Sequence, residues 1–105
     1  MANPWRGEVP LVINGETHVM RLTLGALAEL EAGLNEPSIV SLVERFEGQT
    51  FSSRDVLALL EAGLKGGGCD LPEGALLHAD ISGGPMAAAK AAAELLARAF
   101  VVPET

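Results

Sequence analysis

The chain has one cysteine, Cys69, so no disulfide can form within it. A lone thiol and no disulfide framework point to a reducing compartment, and the cytoplasm is the expected location. Positive charge is also scarce. Seven Lys and Arg stand against fourteen Asp and Glu, for a formal net charge of -7. Such a chain repels phosphate backbones, which argues against nucleic acid as a partner. Long apolar runs are missing: no stretch approaches the ~18 residues of a membrane span. The longest candidate, PMAAAKAAAELLARAFVV, is interrupted by Lys90, Glu94 and Arg98. Their i, i+4, i+8 spacing lines them along one face, as in a soluble amphipathic helix. The opening residues MANPWRGEVP lack a basic segment followed by an apolar run, so no targeting signal is expected there.

Reactive constellations are missing too. His18, Cys69, Asp70, His78 and Asp80 are the metal-ligand candidates, and their spacing matches no zinc pattern of paired Cys or His. Cys69 and His78 are near in sequence, but no third orienting group is visible and glycines precede the thiol. LKGGGCD lacks the phosphate-loop pattern and follows a predicted helix rather than a strand. GGP at 83–85 reads as a plain helix start. Neither an enzyme, a metal nor a cofactor is expected.

What is present is apolar bulk in small pieces. The hydrophobic fraction is 49%, with 12 glycines besides. Counted together they make roughly 60%, above the usual ~45–50%. Either an alanine-padded, close-packed helical core or apolar surface awaiting a partner accounts for the excess. The length of 105 residues fits one small domain, 1–105.

EVPLVINGETHVMRLT reads as a β-hairpin, because Asn14-Gly15 suits a type I′ turn. That turn pairs Ile13 with Glu16, Leu11 with His18, Val9 with Met20, and Glu8 with Arg21. Pro10 places the first strand at an edge or bulge. Thr23 caps a helix through Ala32, with Leu24, Leu27, Ala28 and Leu30 as its apolar stripe. Ile39, Leu42, Val43 and Phe46, at i, i+3, i+4, i+7, predict a second helix, with Pro37 in its first turn and Gly48 at its end. Ser52 and Asp55 form a capping box for a third helix to about Ala62, with Phe51 and Val56 as a hydrophobic staple. A short helix near 71–79 and a long one from Pro85 to about Val101 follow. The fold class is α+β: an N-terminal hairpin followed by four or five helices, mostly helical. The expected core is Leu27, Leu30, Ile39, Leu42, Val43, Phe46, Val56, Leu57, Leu60 and Leu96.

The segment LEAGL occurs at 30–34 and again at 60–64. It reads as one helix-stop chemistry used twice: Gly33 and Gly63 as left-handed residues after the helix, Leu34 and Leu64 folding back on its last turn. Too little else matches at that offset for a structural repeat.

Three stretches together resemble a known family: NGETHVMRLTLGALAELEAGL, SLVERFEGQTFSSRDVLALLEAGLKGGG and ISGGPMAAAKAAAELLARAF. They are similar to the gene transfer agent family protein of alphaproteobacteria, encoded in the tail-gene region of gene transfer agents and related prophages. The similarity covers nearly the whole chain, from about residue 6 to 102. It implies a phage-like tail assembly chaperone that binds the tape measure protein and assists tail tube assembly. The alternative is a structural tail component retained in the particle; a small enzyme using Cys69 or a histidine ranks last. The implied partners are the tape measure protein and the tail tube protein, with a homo-oligomer left open. The family carries no catalytic residue to transfer.

A partner surface is expected from pattern alone. On the C-terminal helix, Met86, Ala89, Ala93, Leu96 and Phe100 form the inward stripe, opposite Lys90, Glu94 and Arg98. Phe100, Val101 and Val102 lie beyond the main body, where chain ends are usually polar. Together with Trp5 they are the candidate partner-binding residues.

Overall fold

Asn14 and Gly15 both take positive φ, 51° and 83°, and turn the chain between β1 (Val9–Ile13) and β2 (Glu16–Met20). The computed structural model describes residues 7–34, 39–69, 76 and 79–99. The hairpin register is the predicted one, with Val9 opposite Met20, Leu11 opposite His18 and Ile13 opposite Glu16. The ladder ends at Val9–Met20 and does not extend to Glu8–Arg21, and the Arg21 amide, on the side of the chain away from β1, donates to the Gly63 carbonyl at 2.8 Å. Alternation buries Val9, Leu11 and Ile13 on one face. Pro10 is exposed and β1 is an edge strand, as predicted. Val12 accepts from Ser82 on the side away from β2, and Pro10, two residues earlier, turns its donor-less nitrogen to that side. Asn14 and Ile81 extend the contact, through a 2.8 Å bond from the Asn14 amide to the Asp80 carbonyl and an Ile13–Ile81 bridge.

Four helices follow among the described residues, so the class is α+β. In α1 (Leu24–Leu34) the Thr23 hydroxyl accepts from the Ala26 amide at 3.1 Å, the expected cap. Its stripe is rotated from the prediction. Ala26 and Leu30 are buried and Leu27 half-buried, whereas Leu24 is 85% exposed. The second helix is α2 (Ile39–Glu47). In α3 (Ser53–Gly66) the capping box is complete: Ser52 Oγ accepts from the Asp55 amide, and Asp55 Oδ2 from the Ser52 amide. Phe51 packs against the core cluster that includes Val56, and its ring stacks on Phe46 at 4.5 Å. The last helix, α4, is Gly84–Ala99. The predicted helix near 71–79 lies almost wholly outside the described residues, although Leu76 is buried in the core.

α3 is the central element, packing against α1, α4 and β2, while α4 also covers β1. Its axis supplies the core: Leu59, Leu60 and Leu64 are almost wholly buried, with Met20, Val9, Leu42 and Leu95 around them. Full burial of each such side chain stabilises by about 1.5–3 kcal/mol. Of the expected core, Leu30, Leu42, Val56, Leu60 and Leu96 are buried. Leu27, Val43, Phe46 and Leu57 are only half-buried, because they flank the packed faces. The Ile39 side chain lies outside the described residues.

The helix-stop reading of LEAGL is overturned. Neither Gly33 nor Gly63 has positive φ, and both lie inside helices. α3 runs on past Gly63 to Gly66 because Gly63 is where it crosses its neighbours. A Cβ there would lie 2.7 Å from Leu95 Cδ1 and 3.1 Å from Met20 Cβ. Leu64 is buried within the helix, and the Leu34 side chain lies outside the described residues. The true stop is Gly68, at φ 89°. There the Cys69 amide reaches back to Leu64 and the Gly68 amide to Lys65, a Schellman closure.

The inward stripe of α4 is corrected too. Ala88, Ala91, Ala92, Leu95 and Leu96 are buried, while Met86 is 83% exposed and Ala93 is exposed. Alanine surrounds most of this helix, so its apolar period does not single out one face. The side that admits the closest approach, packed on Gly63, is the one that turns inward.

Candidate partner-binding groove

Trp5, Phe100, Val101 and Val102, the residues expected to bind a partner, lie outside the described residues. The described surface offers another apolar feature, built from α2 and α4. α2 is fastened on one side. Arg45 Nη2 donates to Asp55 Oδ1 at 2.6 Å, and Asp55 is itself 5% exposed and held by the α3 cap. Phe46 stacks on Phe51, and Leu42 enters the core. The chain needs this arrangement because Arg45 and Phe46 stand next to the loop that delivers Phe51, Ser52 and Asp55.

On its other side α2 does not close against α4. A groove of about 480 Å³ remains, walled by Val40, Val43 and Phe46 from α2 and by Ala93, Leu96 and Ala97 from α4, with Glu47 at its rim. Val40 is 57% exposed. The i, i+3, i+4, i+7 count that located α2 passes over Val40. Its signal was an apolar residue off the main stripe. Ala93, on the expected inward stripe, faces this groove instead.

A second groove, about 400 Å³, runs between α1 and α3, but it is lined by Glu29, Arg54, Glu61 and Lys65 beside Leu30, Leu57 and smaller groups. The Lys65 ammonium bridges it to Glu29 at 3.1 Å.

Cys69 lies against His18, and His78 lies outside the described residues. Cys69 Sγ is 3.4 Å from His18 Nδ1, and His18 Nε2 is 3.9 Å from Glu16 Oε2. Glu16 is exposed and holds the ring only loosely. Among the described residues no group of three or more His, Cys, Asp or Glu could hold a metal ion. None of the described helices is long and apolar enough to cross a membrane.

The small hairpin, helical body and apolar groove set the architecture, and comparison with known proteins supplies the class. The chain belongs to the family described as phage tail tube protein, GTA-gp10, whose model matches residues 6–101. It is therefore a tail protein of the gene transfer agent and phage type. No curated protein and no solved structure gave a match.

Proposed function

We propose that this chain is a structural component of a gene-transfer-agent or phage-like tail, acting at the tail tube and retained in the finished particle. The observation that carries this reading is the family match, which spans residues 6–101 and is described as a tail tube protein. Its partners on this reading are other tail proteins, and assembly takes place in the cytoplasm. No catalytic role is assigned: the acid beside the Cys69–His18 contact, Glu16, is exposed and 3.9 Å from the ring. Replacing Cys69 and His18 should leave particle formation intact.

The architecture favours a second reading. The described sheet has two strands, little material for the wall of a tube, and the groove suits transient capture of a partner. That arrangement supports a tail assembly chaperone binding the tape measure protein. Quantitative mass spectrometry of purified particles separates the two. A retained component is present in proportion to other tail proteins. A chaperone is abundant in the producing cells and missing from the particles. Absence from both tail assemblies and tail-protein complexes would sink the two readings together.

A further inference from the structure

We propose that the groove between α2 and α4 docks an amphipathic helix of another protein, one whose apolar stripe is flanked by lysine or arginine. The inference holds for a retained component and for an assembly factor alike. Its lining is apolar apart from Glu47, with Val40 at 57% exposure on the α2 wall and an exposed Ala93 on the α4 wall. Leaving these in water costs free energy that an apolar stripe would recover. From Val40 to Glu47 the α2 wall is about 10 Å long, at ~1.5 Å per residue. That length matches two turns of a docked helix, read through side chains at i, i+3 or i+4, and i+7.

Charge selects the occupant. Glu44 and Glu47 are exposed one turn apart on α2, and Glu47 lines the rim. The cation between them in sequence, Arg45, is turned away to Asp55. Across the groove, Lys90 precedes Ala93 by one turn of α4 and is exposed. The α2 side is therefore acidic, in a chain of net charge -7. A second copy would bring the same charge and be repelled, whereas a helix with cations beside its apolar stripe complements the rim.

The test uses the full chain, labelled with nitrogen-15, and three synthetic 15-residue peptides. One is a helix with leucines at i, i+3 and i+7 flanked by lysines; the second carries glutamates in place of the lysines; the third scrambles the first. The lysine helix should give saturable shifts centred on the amides of Val40, Val43, Ala93 and Ala97. Its Kd should be at least tenfold below those of the other two and should rise with salt. Val40→Glu and Ala93→Glu, both at exposed positions, should keep the circular dichroism spectrum and weaken the lysine helix tenfold or more. Should either fail to fold, the surface pair Glu44→Lys with Glu47→Lys still decides, since it should reverse the preference toward the glutamate helix. Equal binding of the scrambled peptide, or shifts centred elsewhere, overturns the proposal. Groove amides that report self-association on dilution make a second copy the occupant and also overturn it. Groove amides already shielded by the chain's own remaining residues, with no peptide bound, do the same.

Discussion

Gly33 and Gly63 stand in the same five-residue segment, and a methyl group added to them should act in opposite directions. At Gly33 no described atom outside the helix's own backbone and the adjoining residues lies within 4 Å of an added Cβ, and φ is not positive. Gly33→Ala should therefore stabilise by up to ~1 kcal/mol, through helix propensity and a less flexible unfolded chain. At Gly63 the new Cβ presses on Leu95 and Met20, and Gly63→Ala should destabilise by about 1–3 kcal/mol. Urea denaturation of both variants checks this; equal effects of one sign would mean α3 does not cross its neighbours at Gly63. Asp55 joins two tasks in one buried carboxylate. It completes the α3 cap and receives Arg45. Ser52→Ala removes one capping bond and should cost ~1 kcal/mol. Asp55→Ala also removes the charge-assisted bond from Arg45 and should cost roughly 2–4 kcal/mol. Matching losses in the two variants would show that the Arg45 bond contributes nothing.

At the scale of elements, the helix ends reveal what the local sequence could not. α2 stops with Gly48 not at positive φ and Gln49 left-handed at φ 57°. The Thr50 amide reaches back to Arg45 and the Gln49 amide to Phe46, a Schellman closure made on a residue that resists it. Position 49 holds this strained backbone because Phe51 must come round to stack on Phe46. Gln49→Gly should remove that strain and raise stability by about 0.5–1 kcal/mol, after allowing for the freer unfolded chain. A thermal midpoint that falls instead would place the cap elsewhere. The end of α3 obeys a different demand. A Cβ on Gly66 or Gly67 would collide with the backbone carbonyls of Arg21 and Val19. These glycines let the helix lie directly on β2, and Gly67→Ala should force the two apart. Faster hydrogen exchange at the Arg21 amide, which is bonded to Gly63, is the expected readout.

For the whole molecule, α3 threads the middle, and among the described elements all but α2 pack their backbone closely on a neighbour. α2 is tied instead through side chains, by the Arg45–Asp55 bond, the Phe46–Phe51 stack and Leu42 in the core. That one-sided attachment leaves the apolar groove beside α4. Weakening the tie with Arg45→Ala should loosen α2 first. Exchange should quicken across 40–47 while the amides of 59–64 stay protected, and simultaneous loss of both would mean the molecule opens as a single unit.

The hairpin, its register, the α3 cap and the number of main helices were legible in the residues alone, because each depends on neighbours in sequence. Asn14-Gly15 meets a backbone requirement that few dipeptides can meet, and Ser52 with Asp55 satisfies amides one turn away. Family membership was legible for a related reason: the order of three stretches along the chain survives without any coordinates. What the tertiary structure decided are the choices between equal local options. Alanine on nearly every side of α4 left several faces fit to turn inward, and the crossing at Gly63 selected the one bearing Ala88, Ala92 and Leu95. The same selection turned Ala93 outward beside Val40 and opened the groove. A glycine that only makes room and one that ends a helix are identical in sequence; only the distance to the facing side chain separates them.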